Sequence, residues 1–446
     1  MAQFYFSRTV DGSTVLAFSL SVALMSVSVS TLAAQSTREL INISNTQELY
    51  SNIGKDNAEL VLASFSTDVH DVEELNGRYV LSACPEGEDQ ERGSSHCGQL
   101  EQGTNSVLRG EMVLELDSYW VPLDEEEPGA VIDCAALPPS PLEFSCLRMG
   151  IGSTVNGLTI INGYSRPEPD QSGGANPVDN RNGIMVPAGG AETIVENVHV
   201  MNARRGIVAT AESGLTTHAV VRNSLIEGTE LAGVFFWATT PQLAPTTSSR
   251  HLGTVEGNRF SAIGVHPIIF EWGFFGRDNS GNVEIKGNLI DERNRFGVSL
   301  IVNSEPNSRA EGNAAMVEIR NNRFRSDQAL LVFLSGAGAR DNCLAAFVEG
   351  NTIEGSETGL NVQVASAGTE NRVEFGYVRN SYSSERPPQT PGPQRTAIIV
   401  ADDPGNDFRF SESHDDFRST NRMFDLRGLD FTADFTGQPF NPQRCD

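Results

Sequence analysis

The chain has 446 residues, with 58 acidic against 32 basic side chains, a net charge of −26 and a pI near 4.6. That balance argues against nucleic acid and anionic membrane as partners. It also argues against a polyanionic glycan, unless a cation or a local basic cluster mediates. Positive charge is almost wholly arginine, because Lys55 and Lys286 are the two lysines.

In chain order, Arg8 precedes an apolar, small-residue run, "TVLAFSLSVALMSVSVSTLAA", after which "QSTREL" turns polar. That order predicts a secretory signal peptide over residues 1–34, cleaved near Ala33 or Ala34. The alternative is an uncleaved N-terminal anchor. No later segment reads as membrane-spanning, so the mature chain is expected to be secreted or periplasmic, soluble and monomeric. Six cysteines with no CxxC pair fit an oxidising compartment and disulfides rather than a metal site. Proximity pairs Cys84 with Cys97 and Cys134 with Cys146, which leaves Cys343 with Cys445. The last bond would pin the C-terminal tail to the body.

"NTQELYSNIG" (45–54) opens with Asn45 and places Glu48 three residues on, a capping pattern for a short helix. "ELVLA" (59–63) and "GRYVLSA" (77–83) follow as strands. A recurring hexamer then dominates: "VENVHV", "VRNSLI", "VEGNRF", "IKGNLI", "IRNNRF", "VEGNTI" and "VRNSYS". Its fourth positions are Val198, Ser224, Asn258, Asn288, Asn322, Asn351 and Ser381, spaced 26, 34, 30, 34, 29 and 30 residues apart. Such a period signals a solenoid. Short Val/Ile/Phe-rich runs bounded by Gly, Asn and Ser make the repeats strands rather than helices. Each period reads as a strand, a tight bend at Asn, a strand, a short turn, a strand and a long loop. The third strand is seen in "GVFFW" (233–237), "PIIFEW" (267–272), "GVSLIV" (297–302), "ALLVFL" (329–334) and "GLNVQV" (359–364).

This pattern resembles the right-handed parallel β-helix of the pectate-lyase-like superfamily. The expected fold class is therefore all-β, a single-stranded right-handed parallel β-helix with an N-terminal cap helix and a C-terminal cap or tail. The expected organisation is a signal peptide over 1–34, a cap and first strands over 35–104, the β-helix over 105–400 and a tail over 401–446. Coils stacked at the strand spacing would let Asn258, Asn288, Asn322 and Asn351 form a buried amide ladder. Asparagine also tolerates the left-handed backbone that a sharp bend needs.

In the superfamily the third strand floors the substrate groove. Strand alternation aims Val234, Phe236, Val298, Leu300, Leu360 and Val362 inward. It aims Phe235, Trp237, Ile269, Glu271, Ser299, Ile301, Leu331, Phe333, Asn361 and Gln363 outward. Phe235, Trp237, Trp272, Asn361 and Gln363 are the candidate substrate-binding residues, since sugar rings stack on aromatic faces. The candidate catalytic set is Glu271 on the floor with Arg277, Asp278, Arg309 and Arg340 on the loops. The resemblance raises Ca²⁺ as a cofactor for lyase chemistry, but no metal-ligand cluster is read here. The polygalacturonase and pectin-esterase strings are missing. His199, His218, His266 and His414 have no Ser or Cys at a suggestive spacing. The expectation is an exported protein acting on or binding a polysaccharide, as a lyase or hydrolase. The alternative is a non-catalytic glycan-binding or surface protein.

Overall fold

The computed structural model describes residues 38–63, 77–85, 97–112, 114, 129–137, 145–162, 182–238, 246–271, 276–291, 296–303, 310–335, 339–354, 358–365, 370–383, 395–401, 406–413, 416–417, 424–427 and 445. The expected signal peptide, Trp272, Arg309 and His414 lie outside these residues. So do the Pro-rich 384–394 segment and most of the tail.

The coils stack into three parallel sheets of 12, 11 and 11 strands, here called A, C and B in that order. One coil shows the plan: Arg250–Glu256 in sheet A, Arg259–Ser261 in B and His266–Glu271 in C, before Ser280–Lys286 returns to A. The chain is thus an all-β parallel solenoid. Its sheets run beyond the 105–400 span read from the repeat, from Glu39–Ile43 in A to Phe424–Arg427 in C. Among the described residues no helix is long and apolar enough to cross a membrane.

The helix is Thr46–Asn52. Asn45 Oδ1 accepts from the Glu48 amide at 2.9 Å, and the Glu48 carboxylate accepts from the Ser44 amide and hydroxyl at 2.8 Å each. Those bonds hold the Glu48 carboxyl below its ordinary pKa. Leu49 and Tyr50 are buried.

The bend between sheets A and B divides its work between two adjacent residues. The third hexamer position takes the left-handed backbone: φ is 51° at Asn223, 63° at Gly257, 53° at Asn321 and 66° at Gly350. The fourth position carries the ladder. Asn258, Asn288, Asn322 and Asn351 each donate Nδ2 to the next coil's amide oxygen, at 3.1, 2.9, 3.0 and 2.8 Å. The expectation that one asparagine serves both purposes is corrected, because the ladder asparagines have no positive φ. The last register is corrected too. Asn351 donates to Asn380 and not to Ser381, since Glu349 pairs with Val378. Arg379, with φ 54°, stands where its neighbours have Gly or Asn.

A second ladder lines the corner between sheets C and A. Asn313 donates to Asn342 at 2.8 Å, Asn342 to Asn371 at 2.9 Å and Asn371 to Asn406 at 3.0 Å. Asn279 opens it, donating its backbone amide to Asn313 Oδ1 at 3.0 Å. Asn279, Asn313, Asn342 and Asn371 each precede a first-ladder asparagine by nine residues. The sequence reading missed this ladder, although the constant spacing is visible.

Inside the solenoid, large residues of one sheet face glycines of another. Phe260 and Phe324 of sheet B occupy the space that a Cβ on Gly233 or Gly297 of sheet C would fill. Phe236 and Phe270 of sheet C do the same against Gly253 and Gly281 of sheet A. A Gly281→Ala substitution should therefore cost about 2 kcal/mol through overpacking. Adding Phe270→Leu should recover most of it, and a urea-denaturation cycle over the four variants checks this.

The disulfides join Cys84 to Cys97, Cys134 to Cys146 and Cys343 to Cys445, with Cα–Cα separations of 4.9, 5.8 and 5.4 Å. The pairing is the one that proximity suggested, and the third bond fixes the chain's penultimate residue to sheet A.

Candidate functional site

The outward side of sheet C gathers most of the residues singled out above. Alternation holds: Val234, Phe236, Val298, Leu300, Leu360 and Val362 lie in the main core. Val208, Phe235, Trp237 and Ile269 form a separate buried cluster on the other side of the sheet, with Ile301 packed against it. Registers align the outward side chains into rows. One row runs Thr210, Trp237, Glu271, Ile301, Phe333, Gln363. The next runs Val208, Phe235, Ile269, Ser299, Leu331, Asn361.

This face is not uniformly open. Trp237 is only 4 % exposed and Phe235 equally covered, whereas the sequence reading sets both on a wet groove. Their rings stack at 5.2 Å. The Arg205 guanidinium lies over both, 4.8 Å from the Trp237 centroid and 5.6 Å from that of Phe235. Arg205 also donates to Asn182 Oδ1 at 3.4 Å. Glu271, the register partner of Trp237, is 6 % exposed. Farther along the stack, Ile301, Gln328, Phe333 and Gln363 are half-buried.

Two polar groupings cross this face. His266 Nδ1 lies 2.8 Å from Ser299 Oγ, and Phe296 stacks on the imidazole at 5.0 Å. Sequence spacing could not reveal this Ser–His contact, because the partners are 33 residues apart and meet only through strand register. Ser299 is fully buried, so the contact positions side chains and does not present a nucleophile. The second grouping is an amide chain. Asn361 Nδ2 donates to Gln328 Oε1 at 2.8 Å, and Gln363 Nε2 donates to Asn361 Oδ1 at 3.2 Å.

The loop candidates sit elsewhere, at the C-to-A corner. Thr247, Arg277, Glu311 and Arg340 form a row of isolated backbone bridges there. Asp278 (φ 54°) and Asp341 (φ 51°) hold the left-handed position beside the second ladder. Arg277 lies 3.9 Å from Glu311, Arg340 lies 3.0 Å from Glu370, and Arg372 lies 3.9 Å from Asp341. Arg340's pairing with Glu370 raises its pKa further. Arg277, Asp278 and Arg340 are thus brought together in one corner, as neighbours in an exposed charge network.

Calcium takes six to eight oxygens. Among the described residues, Glu271 is the one carboxylate on the outward side of sheet C from Arg205–Thr210 to Thr358–Ala365. No group of three or more His, Cys, Asp or Glu among them is placed to hold a metal. The described donors therefore do not fit a calcium site, and no step is derived through one.

No protein-family profile matches this sequence, and no curated protein sequence does. Solved structures do. The DFA-IIIase of Arthrobacter chlorophenolicus A6 is similar at 10 % identity and TM-score 0.37, over 87 % of this chain and 81 % of that one. A pectate lyase from Paenibacillus sp. 0602 is similar at 8 % identity and TM-score 0.36, over 86 % of each chain. The A-module of the mannuronan C-5 epimerase AlgE4 of Azotobacter vinelandii is similar at 11 % identity and TM-score 0.32, over 86 % and 99 %.

Proposed function

We propose that this chain is an exported protein that binds a polysaccharide across the outward face of sheet C. The observation that carries the reading is the in-register, half-buried row Ile301, Phe333, Gln363, flanked by Asn361. Parallel registers present aromatic, aliphatic and amide groups at a regular strand spacing of about 4.8 Å. Rings pack on the C–H faces of sugars while amides exchange hydrogen bonds with hydroxyls. Three disulfides fit folding in an oxidising compartment.

Affinity electrophoresis of the mature protein in gels cast with soluble polysaccharides tests this. Retardation by at least one polymer is expected, and Phe333→Ala should weaken it by about 10-fold, the order of one buried ring contact. Unretarded migration in every gel would end the reading.

A second reading rests on Glu271, the one carboxylate among the described residues on the outward side of sheet C from Arg205–Thr210 to Thr358–Ala365; carboxyl groups supply the proton in glycoside hydrolysis. If new reducing ends appear on incubation, Glu271→Gln should abolish them while leaving retardation intact. If none appear, the face acts by binding alone.

A further inference from the structure

The third disulfide joins two places that the strand order keeps apart. Among the described residues the last coil runs Asp407–Ser413 in sheet A, Asp416–Phe417 in B and Phe424–Arg427 in C, each at the end of its sheet. Cys445 follows all three in sequence, yet it is bonded to Cys343, the first residue of Cys343–Glu349. That strand is third from the end of sheet A, with Arg372–Val378 and Asp407–Ser413 beyond it. Two strand spacings amount to about 10 Å. Cys445 is therefore held back along the stack, beside sheet A, and not over the end of the solenoid.

Alternation says which side of the sheet it lies on. Leu344, Ala346 and Val348 belong to the core, as do Val373, Phe375 and Tyr377 of the next strand, so Cys343, Ala345 and Glu374 point outward. One outward row runs Asn282, Met316, Ala345, Glu374. Exposure falls along it: Asn282 is exposed, Met316 half-buried, Ala345 buried and Glu374 only 4 % exposed. A carboxylate on the outer side of a sheet gives up its water only where something lies over it. The cover begins at the strand to which Cys445 is bonded.

We infer that the Cys343–Cys445 disulfide is a redox latch, which holds the Cys445 segment over the outer side of sheet A and so covers Ala345 and Glu374. This inference does not depend on the binding reading. The latch closes by thiol–disulfide exchange. The two cysteine thiols give two electrons and two protons to a disulfide-bearing partner, which leaves as a dithiol, and a dithiol reductant reverses the step. The cysteines are 102 residues apart, and the stretch between them contains the sheet C strand Thr358–Ala365. Closing so long a loop makes the coils within it harder to open.

Carboxyl labelling with a carbodiimide and an amine tests this on the full disulfide-bonded protein, read by mass spectrometry at three residues. Glu374 reports the cover. Glu318, half-buried on the same outer side, reports an open position. Asp133, 5 % exposed and paired with Arg78 near the other end of the stack, reports global unfolding. In the parent, Glu374 and Asp133 should both be protected. In Cys343→Ser/Cys445→Ser, labelling of Glu374 should rise to the level of Glu318 while Asp133 stays protected. Dithiothreitol should expose Glu374 in the parent, and reoxidation should protect it again. Glu374 that labels in the oxidised parent, or that stays protected in the variant, would overturn the latch. So would protection that reoxidation does not restore. Labelling of Glu374 and Asp133 together in the variant would also overturn it, since the bond would then support the whole fold and not a local cover.

Discussion

Replacing Asn322 with alanine is expected to cost about 4 kcal/mol, from four side-chain hydrogen bonds lost in a buried ladder. Asn322 Nδ2 donates to the Ile285 carbonyl at 2.9 Å and to Asn351 Oδ1 at 3.0 Å. Its Oδ1 accepts from the Asn288 amide and from Asn288 Nδ2, both at 2.9 Å. Removal leaves groups of two coils unsatisfied where no water reaches, and desolvated polar groups are costly. The adjacent Asn321 gives the control. Its contribution is a left-handed backbone at φ 53°, which glycine adopts freely. Asn321→Gly should therefore stay within about 0.5 kcal/mol of the parent. Urea denaturation of the two variants separates the roles. Equal losses would contradict the division of labour at the bend. In a solenoid the damage should also be local, so hydrogen exchange should accelerate in the coils flanking Asn322 before others.

The second large effect is on acid stability. His251 points into the solenoid, 1 % exposed, with the Phe236 and Phe270 rings edge-on at 6.2 Å each. Its Nε2 is 3.1 Å from the Trp237 carbonyl, so Nε2 carries the proton and donates; among the described residues Nδ1 has no partner. Burial lowers its pKa from 6.5 to about 4, against a smaller opposing effect of that hydrogen bond. In the unfolded chain His251 takes up a proton as the pH falls through 6.5, whereas the folded chain resists until about 4. Between those values the unfolded state binds more protons, so stability is full above 6.5 and falls as the pH drops. The loss approaches about 3 kcal/mol near pH 4. A His251→Leu variant lacks this term. The difference in unfolding free energy between the two proteins should shift in the variant's favour by about that amount from pH 7 to pH 4. A pH-independent difference would refute the assignment.

The solenoid was legible because one short string recurs and because strand alternation sorts in from out. The inward and outward sets at Val234 to Trp237 and Leu360 to Gln363 follow from a period of two alone. The hexamer hid two things. Residues three and four look interchangeable as Gly or Asn, so the backbone role and the amide role were merged. The shift from Ser381 to Asn380 escaped for the same reason. The site was less legible because its contacts are made across coils. His266 meets Ser299, and Asn361 meets Gln328, through registers that no local spacing encodes. Arg277 and Arg340 drew notice as loop charges, yet the strings that contain them are corner strings. Their companions Asn279 and Asn342 are the second ladder.

The fixed nine-residue interval between the two ladders has an evolutionary and engineering consequence. Each sheet A strand from Ser280–Lys286 to Arg372–Val378 is a ruler clamped at both ends, and a one-residue insertion there would break both amide stacks at once. Length can change only in the stretch from a first-ladder asparagine to the next second-ladder one. That stretch spans 21 residues from Asn258 to Asn279 but 25 from Asn288 to Asn313 and 20 from Asn322 to Asn342. All growth is thereby directed to sheets B and C and the turns that follow them. The outward face of sheet C can be remodelled coil by coil, while sheet A keeps its gauge.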